Sequence, residues 1–516
     1  MFPVHPFGTE NRLSAIYSCH CSSAWFNLKD LLKLFNRQTI QKIRLNGERV
    51  KTNPGDSNIR ALALDLLSDQ RSMMHRSHEA FLEYVYQSMK VEKEALFLKL
   101  ALCRGIQVEQ RVSSIRLSKW DSPVASQIEF NKDKPAQFSL EQINEFATGS
   151  LSKCFGDHYS IYEGRRAPRT PNGDLLLMSR ILEVNGTRGK FNQPANLISE
   201  FDVRKDAWFF RKNSAPVMPY SIFMEIALQP CGFLATYMGC TLIYPNLELC
   251  FRNLDSNAEM LQEIDLRNRT VTTRSTLTSV AASAETVIVQ FDYELLLEGQ
   301  VFFRGNTAFG YFTPNALANQ VGLDRGEKIP PWFRKQNLQP DQGLFINLNS
   351  KESKQNYFRP PADKPYFFQP AGQLNFLDSL LVFENEGNYG LGYVYGEKEV
   401  DPDDWFFPCH FFQDPVMPGS LGVEAILQSM RIFAIRKNLG TRFISPYFTN
   451  AVGKVIWKYR GQIIQSNKIM SVEAHIKQVE AHGDRTVVKA DASLWKDGLR
   501  IYELTDASIS IVEGAL

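Results

Sequence analysis

Two stretches of the chain are apolar on nearly every side of a helix, and each follows the residues Pro-Val-Met-Pro. The first reads APVMPYSIFMEIALQPCG, from Ala215 to Gly232, and the second reads DPVMPGSLGVEAILQSM, from Asp414 to Met430. A helix without a polar face belongs in a core rather than on a surface. Proline suits the first turn of a helix, where its missing N–H has no partner to lose. The pattern therefore predicts two buried helices.

The segments around each helix have the composition of β-strands. A short strand is predicted ahead of each helix, in LLLMSRILEV from Leu175 and in LDSLLVFENEGNYGLGYVYG from Leu377. After each helix come long runs rich in β-branched and aromatic residues, broken by a Glu-Gly or Asp-Gly turn, which are typical of antiparallel hairpins. Each half therefore predicts an α+β unit in which an antiparallel sheet wraps one central helix.

The two units repeat at a constant spacing. Glu225 and Glu424 lie 199 positions apart, and the Pro-Val-Met-Pro motifs and the pair Gln229 and Gln428 have the same separation. The segments DAWFF and DDWFF precede the two motifs in the same order. Self-similarity at a fixed period indicates a duplicated domain.

The remaining segments divide the chain into four regions. We place the first unit at 116–315 and the second at 369–516, with a connecting segment at 316–368 that is rich in Pro, Asn, Gln and Lys. Residues 1–115 are predicted to be mainly helical, because Asn58 to Cys103 has helical periodicity. The basic stretch from Arg37 to Lys51 is interpreted as a solvated face, with docking of an acidic partner as the alternative.

Composition and charge mainly argue against certain classes of function and location. The chain is 44% hydrophobic and its net charge is +2, which gives no reason to expect nucleic-acid binding. No apolar run is long enough to span a bilayer, and the start of the sequence lacks the pattern of a signal peptide. Eight scattered cysteines favour a reducing, cytoplasmic location. The CHC run at Cys19 to Cys21 has no second ligand pair at zinc-finger spacing, so no metal site is predicted.

Each buried helix carries one acid, Glu225 or Glu424, followed four residues later by a glutamine. Residues four apart share a face of a helix. A carboxylate on an apolar helix is unfavourable unless it is neutral or paired. One interpretation is that the helix macrodipole stabilises each acid near the helix N-terminus. The other interpretation is that the acids are catalytic.

A histidine precedes only one of the two helices. His410 lies in CHFFQDPVMPG, whereas the first unit has RKNSA, from Arg211 to Ala215, in the corresponding place. A lone histidine among aromatic residues is more often part of a core than of an active site. The acids and the glycine turn that accompany His410 favour a catalytic base, because imidazole with a reference pKa of about 6.5 is largely neutral at physiological pH.

Gly419 completes a set of groups that could remove water from a thioester. A backbone N–H at a helix N-terminus can hold negative charge on a carbonyl oxygen, and glycine permits close approach. Tyr220 takes this position in the first unit and would crowd the ligand. The base would remove the α-proton, the N–H of Gly419 would hold the charge, and an acid kept protonated by burial would protonate the departing hydroxyl.

The segment CHFFQDPVMPGSLGVEAILQ resembles the active-site segment of the bacterial 3-hydroxydecanoyl-ACP dehydratases, which have the hotdog fold. The two-copy arrangement resembles the dehydratase regions of polyunsaturated fatty acid synthases, and the likeness runs from Phe138 to Val512. It implies a double hotdog that acts on acyl groups held by an acyl carrier protein, with other fatty acid or polyketide synthase components as partners. It also implies pairing of two such chains as a homodimer, and no cofactor beyond the phosphopantetheine of the carrier.

The resemblance further implies how the residues are shared between the units. In that family a histidine of one hotdog unit faces an acid of the other, so His410 is expected to act as base opposite Glu225 as acid. Gln229 would support the acid, and Gly419 with Ser420 would bind the substrate.

Glu424 would then be a vestigial acid that lines a second site without a base. The stand-alone enzymes have aspartate where both units of this chain have glutamate, which leaves open whether Glu225 or Glu424 is the acid. Those enzymes also isomerise the double bond, and the sequence does not decide whether this chain does. The acyl tunnel would be apolar, with Phe411 and Phe412 as candidate lining residues.

Two other functions fit parts of the pattern. A hotdog thioesterase would use an acid near a helix start to activate water, but it would leave His410 without a role. A non-catalytic module that binds an acyl carrier would tolerate the loss of the histidine in the first unit. The presence of His410, Gly419 and Glu225 together favours the dehydratase.

Overall fold

The structure is a computed structural model, and it describes residues 135–213, 217–358 and 368–514. The predicted helical region at 1–115, with the CHC run and the basic stretch at 37–51, lies outside the described residues. The boundaries placed after residues 115, 315 and 368 stay predictions.

Both predicted meanders form antiparallel strands. The first unit contains β1 (Arg180–Asn185), β2 (Ala195–Val203), β3 (Cys250–Met260), β4 (Arg269–Ser283), β5 (Thr286–Leu297) and β6 (Gln300–Phe312). The strands that follow are β7 (Leu344–Asn347), β8 (Ser379–Phe383), β9 (Tyr393–Glu399), β10 (Pro446–Asn450), β11 (Gly453–Tyr459), β12 (Ile469–His482), β13 (Arg485–Lys496) and β14 (Leu499–Glu513). Glu298 and Asp497, which begin the two Glu-Gly and Asp-Gly turns, both have positive φ angles, as such tight hairpin turns require.

The fourteen strands of the described residues make one sheet that runs through both units. Its order is β1-β2-β4-β5-β6-β3-β11-β14-β13-β12-β9-β8-β7, and β10 pairs with β14. The units meet where β3 pairs with β11, in an antiparallel register that places Met260 opposite Gly453 and Asp255 opposite Lys458. The two units therefore share backbone hydrogen bonds as well as a core.

The two long helices pack against the strands, and shorter helices lie in the connections. They are α1 (Leu140–Ala147), α2 (Leu151–Phe155), α3 (Trp208–Lys212), α4 (Tyr220–Met238), α5 (Pro314–Ala318), α6 (Trp332–Lys335), α7 (Lys351–Phe358) and α8 (Gly419–Arg436). No helix among the described residues is both long enough and apolar enough to cross a membrane.

The two helices predicted to be buried are α4 and α8, and nearly all of their side chains are buried. The sequence predicted that Pro219 and Pro418 lie in the first helical turn. In the structure each is the residue immediately before the first helical one. α4 ends at Met238 and is capped by Gly239, whose φ of 86° is a left-handed conformation that favours glycine. The prediction of a double hotdog, with one central helix in each unit, is confirmed for the described part of the chain.

The two units pack through equivalent aromatic residues. Trp208 and Trp405, which come from the repeated DAWFF and DDWFF segments, meet edge to face with ring centroids 5.0 Å apart. Ile222 of α4 and Leu421 of α8 belong to the same buried apolar cluster. The cavity described below lies where these two helices approach each other.

The connecting segment is more structured than its composition suggested. β7 pairs with β8 and adds an edge strand to the sheet of the second unit. The backbone N–H of Trp332 at the start of α6 donates to Glu473 Oε2 of β12 at 2.8 Å. The segment is therefore fixed along the second unit by strand pairing and by a buried carboxylate.

Candidate active site

A cavity between the two units brings together all five residues that the sequence assigned to the site. His410, Gly419 and Ser420 line it from the second unit, and Glu225 and Gln229 line it from the first. Their chemical roles stay predictions, but each has a defined position and defined partners.

Glu225 lies on the second turn of α4 and is 6% exposed. Its Oε1 accepts a hydrogen bond from Ser420 Oγ of the other unit at 2.6 Å, and its Oε2 accepts from Gln229 Nε2 at 3.0 Å. Burial raises the pKa of Glu225, and these two hydrogen bonds only partly oppose that effect. This shift favours the protonated form of the carboxyl, which is the form that a general acid uses.

Gln229 is fixed by the backbone of a short 3₁₀ segment, Gly173–Leu175, and the residues after it. The N–H of Leu177 donates to Gln229 Oε1 at 3.0 Å, and Gln229 Nε2 also donates to the carbonyl of Leu175 at 2.7 Å. These bonds fix which way the amide faces, so it presents an N–H to Glu225. Gln229 is thereby suited to orient the acid.

The same arrangement recurs in the second unit, 199 residues later. The N–H of Phe376 donates to Gln428 Oε1 at 2.7 Å, and the 3₁₀ segment there is Gly372–Leu374. This glutamine is a structural feature of both units, and it positions a carboxylate at the cavity only where the acid is Glu225.

His410 is partly buried and lies in the loop before α8. Its Nδ1 is 3.3 Å from the carbonyl oxygen of Val416, which can only accept, so a hydrogen bond there places the proton on Nδ1 and leaves Nε2 with a lone pair. Burial lowers the pKa of His410 to about 3, and the nearby Arg252 guanidinium adds to this effect. The imidazole is therefore neutral and can accept a proton.

An ion pair between the units holds the loop that carries His410. Asp414 accepts from Arg252 of β3 through both oxygens, at 2.7 and 2.8 Å, and from Arg166 at 3.3 Å. Burial works against ionisation of Asp414, but Arg252 and Arg166 keep its pKa below the usual range. Asn172 Nδ2 also donates to the carbonyl of Cys409 at 3.0 Å. The first unit thus positions the histidine of the second.

Gly419 is the first residue of α8, and no described residue accepts a hydrogen bond from its N–H. A Cβ atom at this position would lie 2.5 Å from Cε2 of Tyr459, so the close approach of that ring requires glycine. Tyr220, at the equivalent position of α4, is buried and its hydroxyl has no partner among the described residues. Gly419 therefore lines the cavity with a backbone N–H that is free to donate.

Glu424 is fully buried and is paired within its own helix. Its Oε1 accepts from Arg431 Nη1 at 2.5 Å, and its Oε2 has no hydrogen-bond partner among the described residues. Arg431 stands 199 positions after Gly232, which lines the cavity beside Glu225. This exchange was not among the sequence predictions, although it is visible when the two repeats are aligned.

Sequence reasoning also missed several residues around the cavity. Tyr459 and Tyr502 line it with rings 4.1 Å apart, and Gln320 reaches it from the connecting segment. Phe411 lines the cavity as proposed, but Phe412 is 38% exposed and lies over Arg169 instead. Comparison of the two repeats could have singled out Tyr459, because the equivalent residue of the first unit, 199 positions earlier, is Met260.

Residues 170–306 and 369–505 each match the FabA-like domain. The chain belongs to the FabA-like family. The two matches begin and end 199 residues apart, which is the spacing of the repeated motifs. The family assignment and the paired central helices together show a hotdog unit repeated twice.

A relative of this FabA-like chain is a component of the polyunsaturated fatty acid synthase of Thraustochytrium sp. (strain ATCC 26185 / S-3). It is 35% identical over 398 residues, which are 74% of this chain and 27% of that protein. The chain therefore spans about a quarter of the length of this relative.

Solved structures also resemble the chain. The dehydratase domain from the CurF module of the curacin polyketide synthase is 14% identical, with 65% of this chain and 98% of that chain covered at a TM-score of 0.34. The 12:0-ACP thioesterase from Umbellularia californica is 10% identical, with 61% and 93% covered at a TM-score of 0.33.

The arrangement combines an imidazole whose pKa is lowered by burial, a carboxyl whose pKa is raised by burial, and a free N–H at a helix start. These three groups can take a proton from carbon, stabilise an enolate oxygen and protonate a leaving group. Within the described ranges, no three His, Cys, Asp or Glu side chains are grouped so that they could hold a metal ion.

Proposed function

We propose that the chain dehydrates 3-hydroxyacyl thioesters to 2-enoyl thioesters in polyunsaturated fatty acid or polyketide-type synthesis. The observation that supports this is the shared cavity of His410 and Glu225, which come from different hotdog units and have complementary protonation states. The FabA-like family and the relationship to a component of a polyunsaturated fatty acid synthase support the same reaction.

The proposed reaction assigns one role to each group. His410 takes the α-proton with Nε2, and the electron pair of that C–H bond forms the new double bond through an enolate. The N–H of Gly419 donates to the enolate oxygen. The C–O bond to the 3-hydroxyl breaks, and Glu225 transfers its proton to the departing oxygen, so that water is released. The imidazolium and the carboxylate left behind are reset by proton transfer before the next cycle.

The substrate class and the partners follow from the same proposal. The acyl group arrives on the phosphopantetheine of an acyl carrier protein, and the chain acts with other synthase components in the cytoplasm, as a homodimer and without a further cofactor. Apolar lining residues such as Met224, Leu228 and Phe309 suit an acyl chain.

A thioesterase reaction uses the acid as a base toward water. The raised pKa of Glu225 works against that use, because a protonated carboxyl cannot accept a proton from water. It also gives His410 no part in the reaction. Dehydration uses both groups in the protonation states that their surroundings favour.

The test is turnover of carrier-bound 3-hydroxyacyl groups of several chain lengths, with enoyl thioester and free thiol measured in parallel. We expect enoyl product from the wild type, and a loss of about 100-fold or more in His410→Ala and in Glu225→Gln. Glu424→Gln, the matched change in the second unit, should keep near-normal turnover once folded. Free thiol in place of enoyl product would overturn the proposal in favour of a thioesterase.

Product analysis in the same assay distinguishes dehydration alone from dehydration with isomerisation. A 2-enoyl product alone makes the chain a dehydratase, and a 3-enoyl product that forms from added 2-enoyl thioester makes it an isomerase as well. Loss of the first activity in Glu424→Gln, with Glu225→Gln active, would transfer the acid role to Glu424.

A further inference from the structure

The phenol of Tyr459 is a buried polar group that lines the cavity without a hydrogen-bond partner. The side chain is 5% exposed, and its hydroxyl has no partner among the described residues. A buried hydroxyl that donates to nothing is unfavourable. Two other buried tyrosines are satisfied: Tyr293 donates to the carbonyl of Asn257 at 2.8 Å, and Tyr162 donates to that of Thr241 at 2.9 Å.

The ring of Tyr459 lies against the helix start that holds the free N–H. A Cβ at Gly419 would be 3.0 Å from Cζ of Tyr459, the atom that bears the phenol oxygen. Tyr502 packs on the other side, with ring centroids 4.1 Å apart and planes tilted by 37°. The ring is thus held in place, and its hydroxyl lies close to the first residue of α8.

Comparison of the repeats shows that this combination occurs in only one unit. The positions equivalent to Gly419 and Tyr459 in the first unit are Tyr220 and Met260. There the helix start carries its own aromatic ring, and the strand supplies a thioether instead of a phenol. Only the unit that contains His410 therefore places a tyrosine of a strand, Tyr459, against a helix that begins with glycine, Gly419.

We propose that Tyr459 donates its phenol O–H to the thioester carbonyl oxygen of the substrate, as a second donor beside the N–H of Gly419. This assignment rests on the proposed dehydration and adds a substrate-positioning residue to it. Burial, reinforced by Tyr502, holds the pKa of Tyr459 well above its usual range, so the phenol keeps its proton at neutral pH. The enolate oxygen carries more negative charge than the ground-state carbonyl, so the bond should strengthen along the reaction.

The test compares Tyr459→Phe with the wild type on one carrier-bound 3-hydroxyacyl substrate. Tyr220→Phe is the matched control, because it removes an equally buried and unpartnered phenol at the position equivalent to Gly419, and that residue does not line the cavity. We expect kcat to fall about 100-fold in Tyr459→Phe, with KM changed much less, and to stay unchanged in Tyr220→Phe. A thermal unfolding midpoint equal to that of the wild type shows that the fold is kept.

A kcat within about twofold of the wild type in Tyr459→Phe would overturn this role and leave the dehydratase proposal intact. A wild type without enoyl product would overturn dehydration itself, and this assignment with it. If Tyr459→Phe is unstable, fluorotyrosine at the same position replaces it, because it keeps the shape and makes the O–H more acidic. A change of kcat with that acidity supports the hydrogen bond, and an unchanged kcat contradicts it.

Discussion

Arg431 and Gly232 occupy equivalent positions of the two central helices, and they give the two acids opposite surroundings. Gly232 lines the cavity next to the turn of α4 that carries Gln229, and Glu225 lines the same cavity. The guanidinium of Arg431 instead pairs with Glu424 at 2.5 Å. One exchange of glycine for arginine thus leaves room beside one acid and neutralises the other by an ion pair.

Filling the space at Gly232 should act on acyl chain selectivity. A Cβ there would lie 3.2 Å from Cε1 of Phe251, so the side chain of Gly232→Leu must project into the cavity or displace that ring. We expect kcat/KM for long 3-hydroxyacyl groups to fall about ten-fold or more, with little change for 3-hydroxybutyryl. The measurement is kcat/KM across a series of carrier-bound chain lengths.

The matched variant for this prediction combines Gly232→Leu with Phe251→Ala, which returns the lost space. Turnover of long chains should recover in the double variant. An equal loss for every chain length in Gly232→Leu would show that the acyl chain does not pass Gly232.

Breaking the buried ion pair of the second helix should affect stability rather than turnover. Glu424→Gln leaves the Arg431 guanidinium buried without its counter-ion, so the free energy of unfolding should fall by about 3–5 kcal/mol. The double variant Glu424→Leu with Arg431→Met should recover most of that loss, because neither charge is then buried. Denaturant unfolding gives the free energy of unfolding of the single and the double variant. The kcat of Glu424→Gln is measured at a temperature at which this variant is folded.

Glu225→Gln is the control for this comparison, because burial raises the pKa of Glu225 and so favours its neutral form. Its unfolding free energy should stay within about 1 kcal/mol of the wild type, since the amide can still accept from Gln229 or Ser420. An equal loss of stability in the two single variants would contradict the contrast between the two acids.

Local pattern was sufficient to predict the two central helices and to single out the residues His410, Gly419, Glu225 and Gln229, whose sharing between the units was implied by the family resemblance and whose roles stay predictions. Each depended on residues close together in sequence or on the 199-residue repeat, such as Glu225 with Gln229 and His410 with Gly419. The helix ends were less predictable, because Pro219 and Pro418 can occupy either the first turn or the residue before it.

Contacts between distant segments could not be predicted. Arg252 reaches Asp414 across 162 positions, and nothing in the sequence around either residue indicates the other. The pairing of β7 with β8 depends on where a polar connecting segment returns to the sheet, and its composition predicts only a loop. Arg431 is a different case, since aligning the repeats places it opposite Gly232.

Removing the charge of Asp414 should slow the reaction by releasing the loop that holds His410. In Asp414→Asn the bidentate pair with Arg252 and the contact with Arg166 are lost or weakened. We expect kcat to fall about 100-fold, because misplacing a catalytic group by about 1 Å has effects of that size. Steady-state kinetics gives the change in kcat, and a thermal unfolding curve reports any loss of fold.

Asp255→Asn is the control for the loop ion pair. Asp255 lies on the same strand as Arg252 and pairs with Arg460, but both side chains are well exposed to solvent. Exposed pairs contribute little, so kcat and stability should both stay near wild type. A similar loss of kcat in both variants would assign the effect to the strand as a whole.

The rate should fall on the alkaline side as Glu225 loses its proton, and it should show no acid limb from His410 near pH 6.5. The proposed reaction requires neutral His410 and protonated Glu225. Burial and then Arg252 lower the pKa of His410 to about 3, so the imidazole stays neutral as the pH falls through its ordinary value of 6.5. Burial raises the pKa of Glu225 above its ordinary 4.5, so its proton is lost only as the pH rises through that higher value.

The free energy of unfolding should depend on pH in opposite directions for His410 and Glu225. The pKa of His410 is lower in the folded chain than in the unfolded one, so its contribution to stability is lost as the pH falls from 6.5 toward 3. The raised pKa of Glu225 gives stability that is complete below 4.5 and is lost as the pH rises through the folded value. His410→Asn should therefore flatten the acid side of a plot of unfolding free energy against pH, and Glu225→Gln should flatten the alkaline side.

The variant Arg252→Met tests whether the guanidinium of Arg252 lowers the pKa of His410. Without the cation the pKa of His410 should rise, so an acid limb should move upward in pH while the alkaline limb from Glu225 stays in place. The measurement is kcat/KM against pH for the wild type and Arg252→Met on one carrier-bound substrate. An acid limb near pH 6.5 in the wild type would show that His410 has an ordinary pKa, and that burial between the two units does not control its protonation.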